Sequence, residues 1–463
     1  MEDARKEKIL KGIHAYFNAF YKHGLSLLGD TEVMPLDVQE TRAHHEQELL
    51  KGMYWALFSL HLLYNRYNMA TKEQLEHNRA QAERESEQSD AEDSDLDMST
   101  YHYPPIDFTE PPDEDEDDAP ARDVNASDLA AALNEMQLLR TSNRVLGGPE
   151  LDTSILKGKE VDMVLRFLKV CQREFVYDDY MFLGFANSDD RRRFTANVTS
   201  TLMAINTYRV IGDNLRTKSS ISFLKHMSWM YQWEEILSFF SLLYVKNEGY
   251  YRKCVMPQTA HCSDIRHTAS AVLSTSMILR VCQHATPNSM RSVEGWVNVE
   301  EVTAHVLKHF NDDGGVGLSP GAESHCGAAF CALLILTILG KIKVIDRNLL
   351  VGLRNWLVKR LANFGGVSGR IGKCEDMCYS FWMLAALDLL NKCGVHSQIL
   401  RGREMIRFIE KCQTPGGGIA PYPCEPGVTP QPDPYHTFAA LMTIAFIEEE
   451  NQQTDMPLLQ MLI

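Results

Sequence analysis

No apolar run in this 463-residue chain is long enough to cross a bilayer. The longest, "GAAFCALLILTILG" from Gly327 to Gly340, falls short of the ~20 residues a spanning helix needs. A basic excess is also missing. Of 62 acidic residues, 16 lie between Glu83 and Asp118 beside a single base, Arg84, which leaves 46 acids against 45 bases elsewhere. The net charge of −16 therefore belongs to one segment, and the cationic footprint of a nucleic-acid binder is absent. Strand signals are nearly absent too, which points to an all-α chain. The opening "MEDARKEKIL" lacks the profile of a secretory signal, so the eleven cysteines read as free thiols in a reducing compartment, the cytosol.

What is present is a large apolar share, 44% of residues, enough for a substantial core. Residues 1–75 read as buried helices, most clearly in "MYWALFSLHLLY" (Met53 to Tyr64), which is apolar on both faces. Residues 76–125 hold "ERESEQSDAEDSDLD" and "PPDEDEDDAP". Such composition cannot bury enough apolar surface to offset its ordering entropy, so a disordered acidic insertion is expected there. It reads as a solvated polyanionic loop, although Ser89 and Ser94, each with an acid three residues on, offer phosphorylation sites. Residues 126–150 form a weak helix and linker, and from 151 to 463 helix follows helix.

A repeat organises that last region. "DGGVGLSPGAESHCGAAFC", "FGGVSGRIGKCEDMCYSFW" and "GGGIAPYPCEPGVTPQPDPYHTF" each carry a glycine pair, a polar loop and the start of an apolar helix, with the pairs beginning at Gly314, Gly365 and Gly417, 51 and 52 residues apart. A degraded copy surrounds "EGYYRKC…SDIRHTA", and a fifth copy is read at "FLGFANSDDRRRF…". Each unit has the length of a helix pair. The glycines are expected to end an outer helix in the left-handed conformation, and the loop to feed an inner one. Such pairs bury their faces by stacking on neighbours. Enough of them close into an α/α barrel whose inner helices start at one end.

The polar residues ending those loops then share one mouth: Glu323 and His325, then Arg370, Lys373, Asp376, Cys378 and Tyr379, then Asp433 and His436. Asp433-Pro434 reads as an N-cap with proline at the first helical position, which puts His436 in the first turn. A carboxylate, a thiolate and an imidazole at one rim suit zinc, and three protein ligands leave a fourth position open, as catalytic zinc sites do. Alone, Asp-x-Cys with a distant His is a weak pattern, and Cys374 is a competing thiol earlier in the loop. His325, Arg370, Lys373 and Tyr379 form a second group that suits a phosphate-type ligand near helix N-termini, against the plain reading of solvated loop cations. Phe381, Trp382 and Phe438 are core residues by default, or the wall of a pocket for a long apolar ligand.

At these motifs the chain resembles the β subunits of protein prenyltransferases. "GAESHCGAAFC", "GRIGKCEDMCYSFW" and "DPYHTF" are similar to three motifs of that family in order and spacing, and the likeness is strongest over the last 200 or so residues. The resemblance implies an (α/α)6 barrel of helical-hairpin repeats. It also implies a heterodimer with a helical α subunit and transfer of an isoprenoid from its diphosphate to a cysteine near a protein C-terminus. It gives Asp376, Cys378 and His436 as ligands of one zinc ion, and His325, Arg370, Lys373 and Tyr379 as partners of the diphosphate, Tyr379 lying beside the reaction. Arg266 in "SDIRHTA" matches an arginine near the peptide, and Trp382 part of the lipid wall.

Within that family, Ala439 stands where farnesyl enzymes carry a bulky tyrosine, so a longer lipid, geranylgeranyl diphosphate, is expected. "CYSFW" and "SDIR" resemble the CaaX-directed type I enzyme, whose acceptors are small GTPases of the Rho kind ending in Leu, more than the Rab-directed one. Pro421 occupies the position of the farnesyl enzyme's magnesium aspartate, so magnesium is not expected to be required. His267 stands where type I has an aromatic near the last residue of the peptide. The alternatives are a Rab-type or farnesyl β subunit, a helical-repeat scaffold whose rim residues are vestigial, and an isoprenoid cyclase. Against the last, no "DxDD" acid motif occurs in the repeats.

Overall fold

The computed structural model describes residues 2–27, 49–67, 158–177, 180–187, 195–215, 232–255, 263–285, 292–397, 401–423 and 430–451. The acidic segment 76–125, the linker 126–150, Ser89 and Ser94 lie outside the described residues. The chain divides into two units, residues 1–70, 153–284 and 288–463 forming one and 71–152 with 285–287 the other. The larger unit carries the helical architecture.

Twelve α-helices occur among the described residues, alternating outer and inner. The outer ones are α1 (Glu2–Leu27), α3 (Gly158–Cys171), α5 (Trp233–Leu243), α7 (Val299–Leu307), α9 (Arg347–Val358) and α11 (Gly402–Cys412); the inner ones are α2 (Leu49–Tyr67), α4 (Val198–Leu215), α6 (Ile265–Ala285), α8 (Cys326–Ile338), α10 (Met377–Lys392) and α12 (Pro434–Asn451). Sequence pattern sorts the two rings. In α11 the buried residues are Met405, Ile406, Phe408, Ile409 and Cys412, the spacing of a helix with one apolar stripe. In α8 every residue from Cys326 to Leu336 is buried, as expected for a helix covered on all sides. The expected (α/α)6 barrel of helical hairpins is the observed architecture.

The ring closes. α8 packs on α10, α10 on α12, α12 on α2, and α2 on α4, while α1 packs against α2, α3, α11 and α12. Ile9, Ile13 and Phe17 on α1 are fully buried.

One hydrogen-bond pattern places the inner helices' starts at a common mouth. The backbone N–H at or beside the start of five of the six inner helices donates to the loop of the next hairpin: Leu50 to Asn187 (3.3 Å), Val198 to Lys253 (2.9 Å), Ile265 to Leu318 (2.9 Å), Cys326 to Gly369 (3.0 Å) and Met377 to Pro421 (2.8 Å). First-turn N–H groups lack intrahelical partners. Here they serve as stitches between neighbours.

The glycines behave differently from expectation in one respect. Gly249, Gly314, Gly365 and Gly417 all have positive φ, from 77° to 93°, as predicted, but they do not terminate the outer helices. α9 ends at Val358 with Lys359 in right-handed conformation, and Gly365 comes six residues later. Each glycine closes a tight turn where the backbone meets the next outer helix. A Cβ would collide with Glu301 of α7 at Gly249, with Glu404 of α11 at Gly365 and with Gly12 of α1 at Gly417.

A second difference is a hairpin of β1 (Gln172–Tyr177) and β2 (Tyr180–Phe185), paired antiparallel with Phe175 opposite Phe182. The expectation of an all-helical run fails there. In "QREFVY" and "YMFLGF" apolar residues alternate or cluster over too few positions for a helix, and the rings of Phe175 and Phe182 stack across the strands (5.7 Å). The part of the fifth copy that begins "FLGF" is therefore strand.

Candidate active site

Four inner helices present polar N-cap residues at the mouth, in a common register. Asp264 accepts from the Arg266 N–H (3.0 Å), His325 from Gly327 (3.0 Å), Asp376 from Cys378 (2.9 Å) and Asp433 from His436 (2.9 Å). Short polar side chains are favoured at this position because they satisfy orphan helix donors. The same demand brings chemistry-bearing residues to one rim.

Asp376, Cys378 and His436 meet there. Their ligand atoms all lie within 4.8 Å of one another, and His436 Nε2 is 3.2 Å from Asp376 Oδ1. The other ring nitrogen, Nδ1, is 2.6 Å from Asp433 Oδ2. Asp433 thus caps α12 with one oxygen and fixes the imidazole with the other. Cys378 is 7% exposed, whereas Cys374, the competing thiol, is exposed and outside the cluster.

The electrostatics suit a cation. Burial works against the His436 imidazolium, but hydrogen bonds to Asp376, Asp433 and Cys378 outweigh it and raise the group to about 11. Burial pushes the Cys378 thiol up to about 11, with the His436 hydrogen bond opposing. Asp376 is held below its ordinary value: burial would raise it, yet the hydrogen bonds from His436 and Cys378 prevail. Two carboxylates and a thiol around one imidazole form a set that binds a proton tightly. Sulfur, nitrogen and oxygen donors at this spacing, with an outer carboxylate on the ligand histidine, fit a zinc ion.

The second group sits on the neighbouring caps. His325 Nδ1 accepts the Gly327 N–H, so in the neutral ring the proton is on Nε2. That nitrogen is 3.3 Å from the Tyr379 hydroxyl. Burial, then the nearby Arg266 and Arg370 cations, push His325 down to about 4, so it is a neutral N–H donor. Burial and the Cys378 and Asp376 anions push Tyr379 up to about 12, so its phenol keeps its proton. If the Tyr379 oxygen accepts from His325, its own O–H is left for a ligand. Arg370 pairs with Glu323 at 3.4 Å, both about half exposed, and Lys373 is exposed in the same loop.

Arg266 lies apart from the metal-type cluster, gripped by Asp264 through Nε (3.0 and 3.1 Å) and Nη2 (2.5 Å). Trp382 is half-buried against Phe330 (5.2 Å) and Phe381 (4.7 Å), and its Nε1 donates to the Tyr435 hydroxyl (2.6 Å). Ala439 is fully buried in α12, next to Phe438, whose ring meets Tyr54, Phe58 and Phe381. His267 keeps a buried Nδ1 with no hydrogen-bond partner. Pro421 contributes its carbonyl to the Met377 stitch.

Reading the sequence missed Asp264 and Tyr435. A signal existed for each, since Asp264 precedes Arg266 by the same two positions that separate Asp376 from Cys378, and Tyr435 adjoins His436.

The fold and site define the class as an α/α toroid with an Asp, Cys and His group at its mouth that could hold a metal ion. The chain belongs to the prenyltransferase α-α toroid domain family, whose model matches residues 136–461. The geranylgeranyl transferase type-1 β subunit of Arabidopsis thaliana is 32% identical over 171 residues, covering 34% of this chain and 42% of that protein. The type-2 β subunit of Saccharomyces cerevisiae is 32% identical over 154 residues, 33% of this chain and 45% of that protein. The matched stretch thus spans under half the length of these relatives. A protein farnesyltransferase β subunit of Pisum sativum is 35% identical over 101 residues, covering 22% of this chain and 23% of that protein. A solved structure of Candida albicans protein geranylgeranyltransferase-I complexed with GGPP is 20% identical, covers 64% of this chain and 80% of that one, and has a TM-score of 0.48.

Proposed function

We propose that this chain is the catalytic β subunit of a heterodimeric protein geranylgeranyltransferase of the CaaX-directed type. It transfers geranylgeranyl from geranylgeranyl diphosphate to the cysteine of a C-terminal motif ending in a Leu-type residue. The observation that carries the reading is the convergence of Asp376, Cys378 and His436 from successive hairpins beside the donor pair His325 and Tyr379.

In this reading Asp376, Cys378 and His436 hold one zinc ion, with Asp433 fixing the tautomer of His436. Zinc so held supplies the Lewis acidity that keeps an acceptor thiol deprotonated near neutral pH. His325 orients Tyr379, whose O–H donates to the diphosphate, while Arg370 and Lys373 offset its charge as the bond to the isoprenoid C1 breaks. Arg266, fixed by Asp264, orients the acceptor peptide. Trp382 forms lipid wall, and the small Ala439 leaves depth for a long isoprenoid. Pro421 offers no side-chain donor to magnesium. The α subunit, a helical protein, and acceptors of the Rho-type GTPase class complete the assembly, which acts in the cytoplasm.

The test is zinc content and turnover of the chain co-expressed with a prenyltransferase α subunit. Both isoprenoid diphosphates are supplied with peptides ending in Leu, Met and Cys. One zinc per heterodimer and preference for geranylgeranyl with the Leu peptide are expected, and Cys378→Ala is expected to lose both metal and activity. A wild-type protein without stoichiometric zinc would favour the scaffold reading, and a mutant retaining metal and turnover would remove Cys378 from the site.

A further inference from the structure

Gly369 has no backbone reason to be glycine, since its φ lies outside the left-handed region and other residues could adopt its conformation. The reason is a side chain ten positions on. A Cβ at Gly369 would overlap the end of the Tyr379 ring that carries the hydroxyl. The glycine is buried, and its carbonyl accepts the Cys326 N–H (3.0 Å), which fixes it beside the start of α8. The Tyr379 ring thus lies against loop backbone stitched next to His325, whose ring it meets edge to face (centroids 5.3 Å) and whose Nε2 is 3.3 Å from the phenol oxygen. The repeat shows what this slot replaces. The same loop position, the acceptor of the stitch, is Leu318 in the preceding hairpin and Pro421 in the next. The third residue of the inner helix that follows, Tyr379 in α10, is Ala328 in α8 and His436 in α12. A large loop residue with a small helix residue in one hairpin becomes a glycine with a tyrosine in the next, as a close-packed site requires.

We propose that Gly369 is a positioning residue for the transfer step: the space left by its missing side chain seats the Tyr379 phenol and, together with His325, aims the hydroxyl at the diphosphate. The proposal rests on the reading of Tyr379 as a partner of the diphosphate. A preorganised donor acts through where it points, and misplacement of a group by about 1 Å can cost about 100-fold in rate. A methyl group at position 369 would meet first the far end of a side chain, which can swing aside. What it disturbs is therefore the aim of the phenol, and the backbone can stay in place.

The experiment measures turnover, zinc content and thermal midpoint of the full chain co-expressed with a prenyltransferase α subunit, using geranylgeranyl diphosphate and a peptide ending in Leu. Wild type is compared with Gly369→Ala, Tyr379→Phe and the double variant. Gly369→Ala is expected to keep its zinc and its KM for the peptide and to lose roughly 100-fold in kcat. In the Tyr379→Phe background, where the hydroxyl is already gone, the alanine is expected to add no further loss, the non-additivity of two residues acting through one group. A Gly369→Ala enzyme with the kcat of wild type, or losses that multiply in the double variant, would overturn the proposal. Loss of the fold in Gly369→Ala would do so as well, by making the glycine part of the scaffold. Full turnover in Tyr379→Phe would instead remove Tyr379 from the diphosphate site, and the proposal with it.

Discussion

His305 is 4% exposed and His309 fully buried, and their Nε2 atoms lie 3.0 Å apart. His309 Nδ1 is 2.9 Å from the Gly317 carbonyl, in the loop leading to His325. Burial, then the His309 and Lys308 charges, push His305 down to about 4. A base whose folded value lies below its unfolded value of ~6.5 stabilises the fold above that value, and the contribution disappears as pH falls toward 4. Up to about 3 kcal/mol is involved, at 1.36 kcal/mol per pH unit of displacement. His305→Gln should therefore flatten the decline of unfolding free energy between pH 6.5 and 4, measured by urea titration. A slope identical to wild type would assign the acid sensitivity to other groups.

At the scale of single elements, the left-handed glycines separate two costs. Gly365 (φ 93°) faces backbone of α11 at Glu404, whereas Gly321 (φ 75°) has open space where a Cβ would stand. Gly321→Ala is expected to cost only the conformational term, about 1 kcal/mol, and Gly365→Ala at least about 2 kcal/mol more, through displacement of α11. Chemical denaturation of the two variants distinguishes them; equal losses would mean that α11 moves aside freely. This is also the scale at which the sequence was readable in part. The glycine period and the Asp433-Pro434 start of α12 were legible because turn and cap chemistry is local. The place of each glycine relative to its helix end was not, because it depends on the approach of the next outer helix. The β1–β2 hairpin was missed for a similar reason: a six-residue apolar run does not declare its partner.

For the whole molecule, ring closure depends on α1, the first element, seating against α11 and α12, the last. Two kinds of contact hold it. Arg5 pairs with Glu410 (2.7 Å) and Lys6 with Glu448 (2.5 Å), while Ile9, Ile13 and Phe17 are wholly buried. Arg5 and Glu410 are each about a third exposed, and such ion pairs contribute about 0–1 kcal/mol. Truncating a buried isoleucine costs about 2–5 kcal/mol. Ile13→Ala is therefore expected to lower the thermal midpoint clearly and Arg5→Ala hardly at all. The reverse ranking would make charge, not apolar burial, the closing force.

Local chemistry, then, determined a good deal by itself: helical content from apolar periodicity, the hairpin repeat from glycine spacing, and the residue types suited to a metal and a diphosphate. Tertiary structure then separated the two thiols the sequence offered: Cys374 is exposed in the loop before α10, whereas Cys378, in the first turn of that helix, is buried at the cluster. It likewise decided that His436 reaches Asp376 and that the Trp382 indole donates to Tyr435. Trp382 and Tyr435 are 53 positions apart in the chain. Such meetings are set by how neighbouring hairpins stack and stitch their helix starts together, which no local pattern encodes.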